Sequence, residues 1–474
     1  MTDNYTVLHC HTEQSLLDST TNHRDYANKA KKLGQTAIAY TEHGNINIWV
    51  EKKMYCDSIG IKYIHGIECY LTERLYWLNE DGEQIKKRDN YHTILLAKNY
   101  EGVKELNRLF YTSKMKNHFY YSPRITFDEF LNISDNIIKI SACLASPLNH
   151  YRKTNDKTFE KLLYAYDYYE IQPHDFAEQK EYNLFLYELS QKTGIPLVMG
   201  TDTHGISKYK NECRTILQYA KNIVFQNEDT FDLSYKNYDE LCNMMSGQNQ
   251  YLPEKVWLEA IENTNKIADS IESFELDKSF KYPPLYGDKD EDILWNRLRA
   301  KYKEKVLKEA IIKEKAQQYT INIKEEMRVF KKLGMCGFIL FMSELISWCK
   351  ENNIPVGAGR GSVNGSTVAY IGDITDVDPV VWNTMFARFC NEYRVELGDI
   401  DCDFAPDDRD KVFQYIIDRF GLEYTGYVFS NGTIKEKGVL DEIGRGLDNK
   451  WKIEHGYKIK DKVSDSPYNL DNIS

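Results

Sequence analysis

The sequence has no stretch near 20 apolar residues, so no transmembrane helix is expected. It also lacks the basic and then apolar opening of a signal peptide. Met1-Thr2-Asp3-Asn4-Tyr5 is polar, and the chain is expected to stay in the cytoplasm. Its 10 cysteines include no Cys-x-x-Cys pair, which argues against a zinc ribbon or a secreted disulfide framework and for free thiols. There is no excess of positive charge: 61 Lys and Arg stand against 72 Asp and Glu, a net charge of −11. No overall basic face therefore supports tight duplex binding, although a nucleic-acid channel needs only local positive charge. Internal repeats and low-complexity segments are absent. Histidine is nearly missing from the second half: of 11, only His455 lies beyond His204.

What is present fits a globular protein of two or three domains, with 474 residues, 42% hydrophobic and 28% charged. The first 205 residues alternate β-rich runs, at 6–10, 36–40, 62–71, 93–97, 136–140, 168–171 and 196–199, with amphipathic stretches at 26–33, 102–114 and 181–193. This rhythm predicts an α/β fold with a largely parallel sheet, open or closed into a barrel. Residues 206–275 read as helical, with an apolar pattern at 252–271. The turn-rich run 281–288 marks a linker, and 290–350 reads as charged helices with solvated faces. From Ile354 the pattern is mixed: a Gly-rich loop, then strands, then helices.

The crowding of histidine into the first half points to chemistry there. His9 and His11 end the first strand pattern, and side chains two apart share a face, so both imidazoles can meet one ion. Thr41-Glu42-His43-Gly44-Asn45 follows the second strand, Glu68 lies in the third, and Asp202-Thr203-His204-Gly205 follows the last. Carboxyl ends of strands are where α/β folds gather functional residues, and imidazole with carboxylate suits zinc, manganese or iron better than calcium. His23, His65, His118, His150 and His174 are scattered and read as ordinary, partly buried residues.

A second constellation is Pro355-Val356-Gly357-Ala358-Gly359-Arg360-Gly361-Ser362. Its glycines let backbone N–H groups approach phosphate, and Arg360 and Ser362 add charge and a hydroxyl. No Gly-Lys-Ser/Thr follows, so it is not a Walker loop. Some forty residues on, Asp399, Asp401 and Asp403 alternate with Ile400, Cys402 and Phe404. A spacing of two puts three carboxylates on one face of a half-buried strand, where they repel unless cations intervene. Two-metal phosphoryl transfer needs such a pair, to hold ions roughly 3.5–4 Å apart.

Both constellations resemble one family. His9-Cys10-His11-Thr12-Glu13-Gln14-Ser15-Leu16-Leu17-Asp18 and Tyr40-Thr41-Glu42-His43-Gly44-Asn45 resemble the opening of the polymerase-and-histidinol-phosphatase (PHP) domain, in the version that begins bacterial replicative DNA polymerases of the C family. The resemblance implies a distorted (β/α)7 barrel around a multinuclear centre of Zn2+ or Mn2+. Its ligands would be His9, His11, Asp18, His43, Glu68, His92, Cys143, Asp202 and His204. The run from Glu325-Glu326-Met327 to Gly444-Arg445-Gly446-Leu447, through the Gly-rich loop and Gly398–Phe404, resembles that family's palm, a mixed α+β domain. It implies that Asp401 and Asp403 hold catalytic Mg2+ and that Arg360, Gly361 and Ser362 cradle a nucleotide triphosphate, with Arg388 and Arg394 as further phosphate contacts. The expected domains are a PHP domain at 1–275, a linker at 276–290, a partial palm at 291–450 and a polar tail at 451–474.

Two departures qualify the resemblance. Gly398 replaces the family's usual proline, and the third palm aspartate belongs on a strand beyond Ser474, after the thumb. The first reading is a DNA-directed DNA polymerase that adds dNTPs to a primer 3′ end, as an N-terminal part needing a second chain for thumb, fingers and third aspartate. The alternatives are a stand-alone PHP phosphoesterase or 3′→5′ exonuclease, and a non-catalytic replisome-interacting relic.

Overall fold

The apolar runs of the first half become the staves of a closed barrel. The computed structural model describes residues 4–153, 157–223, 231–248, 251–278, 282, 284–393, 398–428 and 432–455. It divides into two units, Met1–Glu275 with Thr433–Ser474, and Leu276–Gly432.

In the first unit the strands are β1 (Ala37–Tyr40), β2 (Lys62–Thr72), β3 (Trp77–Leu78), β4 (Gln84–Ile85), β5 (Tyr91–Ala97), β6 (Arg124–Thr126), β7 (Ile137–Ile140), β8 (Tyr169–Ile171) and β9 (Leu197–Met199). β1 is parallel to β2, β8 is parallel to β9, and β5 is antiparallel to both β2 and β7. Single bridges close the remaining gaps: Ile140 to Tyr168, Cys10 to Thr203 and Val7 to Ile38. His11 N–H donates to the Thr203 carbonyl at 2.8 Å, and Thr203 N–H to that of His9 at 3.1 Å. The ring thus runs through the extended segment 5–10, β1, β2, β5, β7, β8 and β9, the seven staves that the resemblance implied.

Two details differ from expectation. The 6–10 run is extended chain joined by bridges at Val7 and Cys10 rather than a regular strand. The sheet is less parallel than expected, because the short hairpin β3–β4, not a crossover helix, links β2 to β5. β6 adds a short parallel stretch beside the end of β2.

Helices α1 (His23–Lys32), α2 (Trp49–Ile59), α3 (Tyr100–Lys114), α4 (Phe127–Leu131), α5 (Pro147–Tyr151), α6 (Lys157–Leu163), α7 (Ala177–Thr193), α8 (Lys208–Ala220), α9 (Tyr238–Ser246) and α10 (Glu254–Ser270) accompany the barrel. Asn22 and Asn99 cap α1 and α3, each accepting a backbone N–H of the first turn. Residues such as Tyr26, Ala27 and Ala30 of α1 and Val103 and Leu106 of α3 join the core with Ile38, Leu71 and Leu95 from the staves. Helix α2 escaped the sequence reading because its buried side includes Lys52 and Lys53.

The second unit is helical: α11 (Asp290–Leu307), α12 (Ala316–Lys332), α13 (Cys336–Glu351), α14 (Thr367–Ile371) and α15 (Pro406–Phe420). Helix α13 buries Ile339, Leu340, Met342 and Leu345 in the unit's core, while the charges of α11 lie mainly outside. The strand expected at 399–403 is extended chain held by two antiparallel bridges, Arg360 to Asp401 and Val356 to Phe404. Helix α16 (Glu436–His455), expected with the palm stretch, lies instead in the first unit. It packs on α8: Asn449 donates to the Tyr219 carbonyl at 2.8 Å, and a side chain at Gly446 would meet the Ile216 carbonyl. Residues 456–474 of the expected tail fall outside the described residues. Among the described residues no helix is long and apolar enough to cross a membrane.

Candidate metal centre and glycine-loop carboxylates

The barrel brings together all nine side chains expected to hold metal. Glu68, central in β2, is the hub, surrounded by four imidazoles. His43 Nδ1 lies 2.5 Å and His92 Nδ1 2.9 Å from its carboxylate, with His9 Nε2 at 3.3 Å and His11 Nε2 at 3.5 Å. His9 and His11 turn toward one point: both Nε2 atoms meet Asp202 Oδ1, at 3.1 and 3.3 Å. Asp18 Oδ2 lies 2.7 Å from His43 Nε2 and 3.3 Å from His204 Nε2. Cys143 Sγ stands at the edge, 3.6 Å from His92 Nδ1.

Three overlapping groups emerge among the described residues: His11, His43 and His204; His9, His11 and Asp202; His43, Glu68 and His92. In each, one donor atom per residue lies within 4.8 Å of the others. Three residues at or beside ligands, Leu17, Ala142 and Asp202, adopt left-handed backbone with φ of 67°, 60° and 46°. Such strain in non-glycine residues clusters where a structure must aim side chains.

Carboxylates and imidazoles in the cluster shift one another's titration. Glu68 is buried and Asp202 and Asp18 partly so, which alone would raise their pKa values, yet the surrounding histidines hold all three well below the usual range. Burial, then His43 and His204, drives His11 down to about 3, leaving it a neutral donor. Burial also lowers His9, but Glu170, Asp202 and Glu68 outweigh it and hold it well above its usual value. Burial and then the Asp202 and Glu68 carboxylates push the Cys143 thiol up. His9 Nε2, His11 Nε2, His43 Nδ1, Glu68 Oε2 and Asp202 Oδ1 are buried and face only one another, at 2.5–3.5 Å, without a well-aligned hydrogen bond. Imidazole nitrogens and carboxylate oxygens converging on shared points are what divalent ions satisfy, so the residues present fit such ions.

Several partners of these ligands were not anticipated. Glu170 holds His9 Nδ1 at 2.8 Å, and Ser15 Oγ lies 3.0 Å from His11 Nδ1. Arg214 Nη2 and Gln218 Nε2 hold Asp18 Oδ1 at 2.5 and 2.8 Å. Buried Glu42 accepts from Ser15, Thr12 and Lys52. These contacts fix ring orientation and tautomer. Glu170 was legible in principle, as a carboxylate in a predicted strand of the same barrel. Of the scattered histidines, His65 bonds Tyr63 and Asn107, and His118 bonds Asn117 and Glu129. His23, His150 and His174 also lie outside the three groups.

In the second unit, the bridges set the glycine loop antiparallel to the aspartates. Gly357 N–H donates to the Asp403 carbonyl at 3.0 Å. Gly359 has φ of 128°, and a side chain there would strike Asn364 and Thr375. Arg360 Nη1 lies 3.5 Å from Asp403 Oδ1, and its Nε 4.0 Å from Asp401 Oδ2. Asp399, Asp401 and Asp403 are exposed, while Ile400, Cys402 and Phe404 pack on the core, the alternation expected of one carboxylate face. Ser362 lies in the short helical turn Gly361–Gly365, beside the turn Phe386–Arg388. Thr384 Oγ1 ties the two by donating to the Asn364 carbonyl. Arg394 lies outside the described residues.

Comparison with known proteins matches residues 8–177 to the PHP domain and residues 292–468 to the bacterial DNA polymerase III alpha NTPase domain. DNA polymerase III subunit alpha of Aquifex aeolicus (strain VF5) is 32% identical over 473 residues, covering 94% of this chain and 40% of that protein. The subunit of the same name from Borreliella burgdorferi is 32% identical, with 93% and 38% covered, and that of Helicobacter pylori (strain ATCC 700392 / 26695) is 28% identical, with 94% and 39% covered. The chain spans about two fifths of the length of these relatives. Over the part that it shares with them, a PHP domain followed by the NTPase-domain stretch, the chain belongs to the bacterial DNA polymerase III alpha family.

Proposed function

We propose that the chain acts as part of a DNA-directed DNA polymerase of the DNA polymerase III alpha type, adding dNTPs to a primer 3′ end. The observation that carries this is the antiparallel pairing of the glycine loop with the aspartate run, which brings Arg360 beside Asp401 and Asp403. Asp401 and Asp403 would hold Mg2+, which neutralises charge on the attacking and leaving oxygens. Arg360, Gly361 and Ser362 would receive the triphosphate, with Arg388 and Arg394 beside them. Thumb, fingers and a third carboxylate would come from sequence corresponding to the rest of the relatives' length. Primer extension by the chain combined with that remainder, supplied as a second polypeptide, tests the reading. Extension lost on Asp403→Asn supports it, and a combination that binds primer-template without extending it overturns it.

A second activity is favoured by the five buried donor atoms that face one another in the barrel without well-aligned hydrogen bonds. The ligand set would hold Zn2+ or Mn2+, which polarise a phosphodiester and acidify water. Glu68, shared by four imidazoles, and Asp202, shared by two, would keep the ions close together. The matching reaction is phosphodiester hydrolysis, as a 3′→5′ exonuclease on the primer end. Release of 3′-terminal nucleotides with Mn2+, abolished by His11→Ala, supports this. An inert protein with its metals bound leaves the barrel centre a structural element. The domain reading that accompanies both activities is a PHP domain over 1–275 and a partial palm from 291.

A further inference from the structure

The hairpin β3–β4 is not used by either reading, yet its base carries a basic and aromatic patch on an acidic protein. Lys87 Nζ lies 3.8 Å from the centre of the Trp77 ring, with Arg74 4.6 Å from the same ring. Lys86 lies over Tyr76 and Tyr120, and Arg88 over Tyr121 at 4.6 Å. Of the nearby carboxylates, Asp89 is taken by Arg124 and Thr72, and Glu73 by Arg74 and Tyr151. Glu80, Asp81 and Glu83 sit at the other end of the hairpin, around the turn at Gly82. The base is therefore locally positive.

This patch stands at the end of the barrel that holds the metal ligands. Only Asp89, Asn90 and Tyr91 separate Arg88 from His92, a reach of at most about 14 Å. Lys86 Nζ donates to the carbonyls of Lys116, Asn117 and Phe119, which ties the hairpin to the loop 115–123. That loop in turn abuts the His43 turn, since a side chain at Gly44 would meet Pro123 Cγ at 2.8 Å. At its tip Tyr121 is 65% exposed and held at φ of 61°, a conformation unfavourable for a ring-bearing residue.

We propose that this patch binds single-stranded nucleic acid at the rim of the barrel's metal centre. Lys87 and Arg88 would neutralise backbone phosphates, and the rings of Trp77, Tyr76 and Tyr121 would stack on unpaired bases. Cations resting on aromatic rings suit an unstacked strand, because a base can enter where both a π face and a charge are offered. A duplex keeps its bases stacked and offers only phosphates. The proposal rests on the reading that the barrel centre works on phosphodiesters, and it gives that centre a frayed strand end as its substrate.

Fluorescence anisotropy of the full chain with a labelled oligothymidylate, against a blunt duplex of equal length, tests it. Tyr121→Gly removes the ring and relieves the left-handed strain, so its thermal midpoint should hold or rise while single-strand affinity falls about tenfold. Lys87→Gln with Arg88→Gln should flatten the dependence of log affinity on log salt by roughly 1.4. Variants binding within about twofold of the parent, or a duplex bound as tightly as the single strand, overturn the proposal. Hydrolysis of bis(p-nitrophenyl) phosphate, too small to reach the hairpin, tests the barrel reading separately. Its absence together with variant-sensitive oligonucleotide binding refutes the hydrolytic reading and supports the patch.

Discussion

Glu68 illustrates how much one side chain can organise. It sits in a stave whose residues are nearly all buried, and four imidazoles reach it from three other parts of the barrel. Its candidacy as a ligand was legible because a carboxylate in an apolar strand needs a reason to be there. The supporting residues were harder to read, since Glu170, Ser15 and Arg214 acquire their roles only by proximity. Glu170→Gln should weaken metal binding by about 10–100-fold while the fold persists, as measured by competition with a chromogenic chelator. Asp202→Asn, which removes a carboxylate facing both His9 and His11, should lose more. Lys52 supplies a different residue-scale test. It is 1% exposed and bonded to buried Glu42 at 2.6 Å. Lys52→Met should cost about 3–5 kcal/mol in urea unfolding by stranding that carboxylate, and adding Glu42→Gln should recover part of the loss.

At the scale of elements, the strands that read clearly were those with long apolar runs. β2, β5 and β7 fall within about two residues of their expected limits. The hairpin β3–β4 did not stand out, and its strands are only two residues each. Without it the antiparallel orientation of β5 could not be foreseen, because direction follows from the connection rather than from the strand's composition. Helix α14 offers an element-scale prediction. Its N-terminus is held by Glu326 of α12, which accepts from the Ser366 hydroxyl and from the N–H groups of Thr367 and Val368. Burial pushes the Glu326 carboxyl up to about 7 against the pull of these bonds. A pKa raised on folding means that its contribution is fully present below the ordinary value and is lost as pH climbs through about 7. That contribution amounts to about 3 kcal/mol. Glu326→Ala strands three donors, and its deficit relative to the parent, measured by urea unfolding, should be larger at pH 5 than at pH 8.

At the scale of the whole molecule, two candidate sites lie in two units of one chain. The order in which the motifs occur, histidine cluster first and glycine loop with aspartates second, was readable residue by residue. The grouping of α16 with the barrel unit was not, because its resemblance to palm sequence says nothing about which surface it packs on. The chain by itself should bind metal yet fail to extend a primer, and extension should appear when the remainder of the relatives' length is added. A gel-based extension assay with and without that partner reads the difference directly.

The sequence by itself determined the periodicities: apolar runs that had to be staves, a spacing of two that had to share a face, and glycines where a loop had to approach a strand. These follow from local geometry, which a few neighbouring residues specify. The tertiary structure alone decided what meets what. Closure through the bridge between Cys10 and Thr203 puts His9 and His11 against Asp202, nearly two hundred residues away. No local pattern encodes that meeting, because it depends on how all seven staves register around the ring.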